Sequence, residues 1–400
     1  YLFYLVPPSE LQSYQTADEM PQFIELTKAW MLLLVALEMI VHHEGYSFPD
    51  TVTSVSAGVC SMMFKFNGLF LSACLYPTVW EAIHMFDLSS IIVSWLVCFL
   101  FQDLVYYLGH RAIHGEVKQW LDVETAKKSR QTILLSEIFA QWGAFWGFHQ
   151  MHHSSEYYNL STAIRQGAIQ DLGMAGFDLL QAVIVPPSMF MPHKTLNILY
   201  QFWLHTEMVP RLPIIELVFN TPSAHRVHHG RNPYCIDRNY GGTLIIWDRL
   251  FGTFTDERTE EPVVYGLVTP VNSFNQFYLQ FFEFYSYICV KPFLKNEDGS
   301  DMFPGAWTKF TTMFAPPGAY PGVETKRFFL WHCMVDNEEG IPPVRMTKIS
   351  QAQDFLSEIK ARYISLQVTA MLFFVFTTVL SGDAFMKNAS WMETAIVVSF

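Results

Sequence analysis

The chain has 400 residues, of which 51% are hydrophobic, 16% aromatic and only 16% charged. Its 25 Lys and Arg against 37 Asp and Glu give a formal net charge of −12, which excludes the basic surface that nucleic-acid binding requires. So apolar a composition in a chain of this length is typical of an integral membrane protein.

Several apolar stretches are long enough to cross a bilayer as helices. The clearest are residues 26–41, 88–108, 172–191 and 363–380. A fifth stretch, residues 51–80, contains Lys65, Asn67 and Pro77 and could form two re-entrant pieces. We therefore predict an all-α fold, a multi-pass bundle of membrane helices.

Histidines recur in two spacings, HxxxH and HxxHH. Eight of the chain's 14 histidines follow them: His110, His114, His149, His152, His153, His225, His228 and His229. On a helix, positions i, i+3 and i+4 lie close together, so each cluster can direct several imidazoles at one point. This spacing predicts a metal site.

The number of histidines favours two metal ions. A structural zinc closes its shell with four ligands, whereas eight imidazoles are enough for two ions with positions left open for oxygen and substrate. Imidazole alone does not name the element. We prefer iron over zinc because oxygen chemistry on a membrane lipid needs a metal that changes oxidation state.

The arginines near the histidines indicate the orientation of the site. Five of them, Arg111, Arg165, Arg226, Arg231 and Arg238, lie close in sequence to the clusters. Under the positive-inside tendency, the site opens to the cytosol. We therefore expect no glycan on the Asn159 sequon. The six cysteines form no CxxC pair, and no disulfide framework is expected.

The chain divides into four predicted segments. Residues 1–90 hold the first membrane helices, and 91–258 form the catalytic domain. Residues 259–361 form a membrane-associated helix and a proline-rich extramembrane loop, and 362–400 return to the bilayer. We expect both termini to be truncated.

The histidine clusters, followed by Asn239-Tyr-Gly-Gly and the run from Trp247 to Thr253, resemble the fatty acid hydroxylase (sterol desaturase) superfamily of integral membrane diiron oxygenases. Residues 152–166, 200–207 and 220–237 are most similar to one branch of it. That resemblance implies two iron ions, tetrahydrobiopterin as cofactor, and hydroxylation of the ether-bearing carbon of alkylglycerols by molecular oxygen. It also implies an endoplasmic reticulum membrane protein. It names neither the pterin-contacting residues nor the oligomeric state.

The resemblance adds further candidate site residues. His205, in Trp203-Leu-His-Thr-Glu207, is a ninth predicted ligand. Glu156 and Glu207 are predicted to accept hydrogen bonds that orient metal-bound imidazoles. Asp248 is predicted to be structural. The isolated histidines His42, His43, His84, His193 and His332 are expected to be surface or interfacial residues.

One departure from the superfamily concerns the first two histidine clusters. Relatives have them closer together, with a glutamate directly after the residue that matches His114, whereas Gly115 follows here. We therefore predict an insert over residues 115–141. Glu116 is a candidate replacement for the displaced glutamate.

Two other functions stay open from the sequence. One is a sterol or fatty acyl hydroxylase or desaturase supplied by a cytochrome electron carrier. The other is a metal-binding membrane protein without catalysis.

Overall fold

The structure, a computed structural model, describes residues 1–14, 19–87, 90–114, 144–268, 271, 273–313, 362 and 365–369. Its α-helices, in chain order, are α1 (Phe23–Val41), α2 (Phe48–Ile83), α3 (Ile91–Ile113), α4 (Ala144–His153), α5 (Gln170–Leu180), α6 (Pro187–Phe202), α7 (Pro222–His229), α8 (Ile246–Phe251), α9 (Gln276–Tyr285) and α10 (Ala306–Thr312). The described residues contain isolated β-bridges but no strand. The helical fold class is confirmed for these residues.

Two of the predicted spans differ from the observed helices. Residues 51–80 lie in the single continuous helix α2, so the expectation of two re-entrant pieces is wrong. Pro77 lies near the end of that helix, where the missing N–H removes only one backbone hydrogen bond. Residues 172–191 are not one helix, because Pro186 is extended and α6 begins at Pro187. A residue before proline is disfavoured in the helical region, which separates α5 from α6.

Among the described helices, α3 alone has the length and apolarity expected of a membrane span. Helix α1 also presents large apolar side chains outward, including Trp30, Ile40 and Val41. A multi-pass arrangement needs more than one membrane-spanning helix, so it stays a prediction. The span predicted at residues 363–380 lies largely outside the described residues.

An apolar core joins the N-terminal segment to the start of α3 and to α6. Its buried members include Phe23, Tyr76, Trp95, Phe190 and Leu196. Because several core residues belong to α6, the polar residue His193 of the same helix is buried beside them.

The surface position expected for His193 is wrong. Its side chain is fully buried. Tyr4 Oη lies 2.6 Å from its Nδ1 atom, and the Trp95 ring lies 4.6 Å away. The N-terminal segment supplies the polar partner that makes this burial possible.

Helix α3 packs on α4, α5 and α6, α2 packs on α5, and α4 packs on α9. Gly147 permits the last contact, since a Cβ there would come within 2.8 Å of the Phe284 ring. This packing fixes α4 at the C-terminal end of α3, where the histidines meet.

A buried carboxylate connects α3 to the segment that follows α7. Asp103 Oδ1 accepts hydrogen bonds from Asn197 Nδ2 at 2.6 Å and from the backbone N–H of Thr243 at 2.8 Å. Its Oδ2 accepts from the backbone N–H of Leu244 and from Trp247 Nε1, each at 3.0 Å. One side chain therefore satisfies four donors from three parts of the chain.

We expect Asp103→Asn to lower the free energy of unfolding by about 3 kcal/mol, because an amide nitrogen would then face donors that need an acceptor. Thermal unfolding of the purified protein in detergent measures this change. Asp87→Asn is the matched control, since the Asp87 side chain is 93% exposed. Equal unfolding temperatures for the two variants would contradict the role assigned to Asp103.

Candidate metal centre

The structure brings the nine predicted ligands together in two groups. Within each group, the nitrogen atoms that could bind a metal all lie within 4.8 Å of one another. The first group is His110, His114, His149, His153 and His228, and the second is His152, His205, His225 and His229. All nine are buried except His114, which is partly exposed.

The two HxxHH helices lie between the groups and contribute to both. Helix α4 gives His149 and His153, which are four residues apart, to the first group and His152 to the second. Helix α7 does the reverse, giving His225 and His229 to the second group and His228 to the first. Residues four apart lie on nearly the same side of a helix, whereas the position between them points to a neighbouring side. The spacing therefore lets each of these helices contribute to two adjacent groups, which His110, His114 and His205 complete from other parts of the chain.

Distances between imidazole nitrogens match those of ligands that share an ion. The Nε2 atoms of His110 and His149 are 3.1 Å apart, those of His152 and His205 are 3.1 Å apart, and those of His205 and His225 are 3.2 Å apart. Metal–imidazole bonds of about 2.0–2.1 Å place neighbouring ligand atoms about 3 Å apart. The groups thus have the dimensions of metal sites.

Five ligand candidates are oriented through Nδ1. Four Nδ1 atoms lie beside backbone carbonyl oxygens: His110 with Tyr240 at 2.8 Å, His152 with Arg165 at 2.8 Å, His205 with Gln201 at 3.0 Å, and His228 with Arg238 at 2.9 Å. The fifth, His149, lies 3.1 Å from Gln170 Oε1. A carbonyl oxygen only accepts hydrogen bonds, so Nδ1 carries the proton and Nε2 keeps its lone pair.

Burial keeps these imidazoles neutral. It lowers the pKa of His205 to about 4, despite hydrogen bonds to backbone carbonyls that act in the opposite sense. Burial, followed by repulsion from neighbouring imidazoles, lowers the pKa of His153 and His229 well below the ordinary value. At neutral pH each imidazole is therefore uncharged and keeps one unprotonated ring nitrogen that can accept a hydrogen bond.

Several of those acceptors have no hydrogen-bond partner. The Nε2 atoms of His114, His153, His228 and His229 are buried and unpaired. A buried polar atom without a partner destabilises a fold by about 1–3 kcal/mol. A cation satisfies converging lone pairs that no donor reaches, so the donor set fits bound metal.

Two of the three predicted glutamates, Glu156 and Glu207, make described contacts outside the two groups. Glu156 Oε1 lies 3.8 Å from Arg231 Nη1. Glu207 Oε1 accepts a hydrogen bond from Tyr265 Oη at 3.0 Å, and its Oε2 lies 3.1 Å from His42 Nε2. Glu116 lies outside the described residues. The observed orienting contacts come from carbonyl groups and Gln170, and a catalytic role for these glutamates stays a prediction.

Aromatic residues beside the histidines were not predicted from the sequence. Trp146 is half-buried, and its ring lies 4.8 Å from that of His114 and 5.3 Å from that of His153. Its position three residues before His149 places it on the same face of α4, which was an available signal. Tyr158 lies 5.3 Å from the His229 ring and donates a hydrogen bond to the Leu204 carbonyl.

Asp248 has the structural role predicted for it. Its carboxylate accepts hydrogen bonds from the backbone N–H groups of Tyr240 and Gly241 at 2.8 and 2.7 Å, and from Thr253 Oγ1 at 2.6 Å. Burial raises the pKa of Asp248 to about 6, although these hydrogen bonds oppose the shift. The carboxylate fixes the Tyr240 backbone, whose carbonyl orients His110.

The predicted insert, residues 115–141, lies outside the described residues. The residues on either side of it nevertheless meet, with the rings of His114 and His149 5.2 Å apart. The first group is therefore complete in this chain. Asn159 is buried, and its side chain donates to the Gly45 carbonyl, as expected for a residue without glycan.

Comparisons with known proteins agree with this geometry. Residues 95–253 match the model of the fatty acid hydroxylase family. The chain is 42% identical to alkylglycerol monooxygenase of Caenorhabditis elegans over 348 residues, which cover 86% of this chain and 64% of the worm protein. It is 39% identical to the Homo sapiens protein of the same name over 329 residues, which cover 80% of this chain and 65% of the human one.

A shorter similarity, 29% identity over 143 residues, covers 30% of this chain and 41% of ornithine lipid hydroxylase OlsE of Rhizobium tropici. No solved structure matches the chain. The chain spans a little less than two thirds of the length of the monooxygenases that it resembles. It is similar to the alkylglycerol monooxygenases over most of its own length, and residues 95–253 match the fatty acid hydroxylase family.

Proposed function

We propose that the chain is a diiron monooxygenase that cleaves ether lipids of the alkylglycerol class. One oxygen atom of O2 is inserted into a C–H bond of the ether-bearing carbon. The other is reduced to water by two electrons and two protons, and tetrahydrobiopterin is the electron donor. The resulting hemiacetal separates into a fatty aldehyde and a glycerol derivative. The observation that carries this proposal is the pair of buried imidazole groups in a chain homologous to alkylglycerol monooxygenases.

In this proposal each group holds one iron ion, and together the ions supply the activation of O2. The protein's own part is to keep the imidazoles neutral and aimed. Backbone carbonyls hold the Nδ1 protons of four ligands, so the ligand nitrogens stay in place without rearrangement. Burial excludes bulk water from the reacting carbon.

A membrane setting supports a substrate with a long alkyl chain. The ligands His110 and His114 lie at the C-terminal end of α3, the helix suited to cross a bilayer. An alkyl chain that lies beside α3 in the membrane would reach the first group without leaving an apolar environment. We place the protein in the endoplasmic reticulum membrane as a multi-pass protein whose site faces the cytosol.

The similarity to ornithine lipid hydroxylase supports one alternative, hydroxylation of another membrane lipid. Such an enzyme would take electrons from a cytochrome carrier in place of a pterin. Dependence of the reaction on the added reductant separates the two.

We expect iron-loaded membranes that contain the chain to release fatty aldehyde from an alkylglycerol only when tetrahydrobiopterin is added. Aldehyde is measured by mass spectrometry against membranes without the chain. Turnover with a reductase and cytochrome but not with the pterin would replace this proposal by the alternative.

Loss of one ligand should empty one group and leave the other. His225→Ala, in the second group, and His149→Ala, in the first, are each expected to lower iron from about two ions per chain to about one and to abolish turnover. Iron is measured on the purified protein by mass spectrometry. His43→Ala is the matched control, since His43 is exposed and lies outside both groups. Full iron content in both ligand variants would refute the assignment.

Replacing residues 115–141 by a single glutamate should give a protein at least as active as the parent. Closure entropy changes slowly with loop length, whereas small displacements of ligands have large effects on rate. The shorter connection restores the spacing and the glutamate of the relatives. The measurement is pterin-dependent aldehyde release per bound iron. A folded, iron-loaded variant with clearly lower activity would show that the insert belongs to the working enzyme.

A further inference from the structure

A segment between α6 and α7 has its apolar side chains outside and its carboxylate inside. Ile214 is 84% exposed and Leu217 is 60% exposed. Glu216, between them, is buried and accepts hydrogen bonds from the Leu212 backbone N–H at 2.9 Å and from Thr221 Oγ1 at 2.8 Å. A surface that faces water has the opposite arrangement.

Helix α8 extends the same apolar surface. Leu250 is 70% exposed. Arg249, next to it, turns inward and donates from Nε and Nη2 to the Glu216 carbonyl at 3.0 and 2.9 Å. The Ile245 N–H also donates to the Val218 carbonyl at 2.9 Å. The exposed side chains of Ile214, Ile215, Leu217, Val218 and Leu250 therefore form one surface, which we call the apolar ledge.

Helix α8, which carries Leu250, contacts the same face of α3 whose first half is apolar and exposed. Positions 92, 96, 100, 103 and 107 follow one another at intervals of three or four residues and so share one face of that helix. In the first half of α3 the side chains on this face are exposed, with Ile92 69% and Leu96 58% exposed. In its second half it is covered by the 239–254 segment, through the Asp103–Trp247 hydrogen bond and the stacked rings of Tyr107 and Phe251.

A membrane around the first half of α3 would therefore also reach α8, which carries Leu250 and contacts α3 through Trp247 and Phe251. We infer that the apolar ledge dips into the bilayer beside α3 and that lipid acyl chains are its occupant. The inference rests on the proposed membrane setting of α3.

Charges at the edge of the ledge mark where the bilayer ends. Arg211 is 44% exposed and pairs with both Asp256 and Glu216. Arginines with long apolar stems are favoured at the boundary between acyl chains and headgroups. Arg211 and Asp256 therefore mark the edge of the ledge that we expect to face water.

Photo-cross-linking in vesicles tests the inference. The full chain is reconstituted in phosphatidylcholine vesicles with p-benzoylphenylalanine in place of Ile214 or of Leu250, and the product is weighed by mass spectrometry after irradiation. Ile92 is the position in the proposed span, and Glu260, exposed and outside the ledge, is the matched control. All four positions are at the surface, so the bulky residue should not disturb folding.

We expect a mass increase of one phosphatidylcholine at Ile214, Leu250 and Ile92 and none at Glu260. Lipid adducts at Ile92 alone would overturn the ledge while leaving the span intact. Cross-links from Ile214 and Leu250 to a second copy of the chain, or to another part of the same chain, would also overturn it. No adduct at any position would reject the ledge together with the membrane setting in the proposed function.

Discussion

Nine imidazoles can share so small a buried volume only while they are uncharged, because protonated rings would repel one another and could not be solvated there. The protein meets this constraint by placing a carbonyl group at Nδ1 of most of the ligands that it orients. In each such contact Nδ1 donates a hydrogen bond to the carbonyl oxygen, and Nε2 faces the centre of the group. The remaining architecture serves to bring those carbonyls to the correct places.

Two buried carboxylates hold the backbone that supplies one of these carbonyls. Asp103 fixes the backbone of Thr243 and Leu244 against α3, and Asp248 fixes Tyr240 and Gly241 a few residues earlier. Neither carboxylate touches a histidine through these bonds. Both act on the segment whose Tyr240 carbonyl orients His110. Acidic residues that do not contact the histidines can thus determine the geometry of a histidine group through the backbone.

The exposed apolar surface and the two histidine groups are linked through a single helix. Helix α3 begins with exposed apolar residues and ends with His110 and His114. Its middle carries Asp103, which the segment after α7 covers completely. The apolar ledge lies at that transition, so an outer surface suited to lipid adjoins the region that supports the first histidine group. A lipid substrate would meet the same sequence of environments on its way to the site.

The sequence by itself determined which residue types meet. Regular histidine spacing named eight of the nine clustered imidazoles, and similarity in the run around His205 supplied the last. Apolar runs predicted helices, and α3 follows its predicted span closely. A helix pairs its backbone hydrogen-bonding groups within its own segment, so an apolar run of sufficient length is enough to predict one.

Tertiary structure decided how those residues are shared and supported. The division of α4 and α7 between two groups follows from where α3 and α6 end, and the Nδ1 partners are carbonyls that any residue type could offer. A pattern of residue types therefore cannot predict which backbone carbonyl accepts a hydrogen bond from a given histidine. The burial of His193 against Tyr4 depended likewise on a contact between parts of the chain far apart in sequence, which local patterns do not encode.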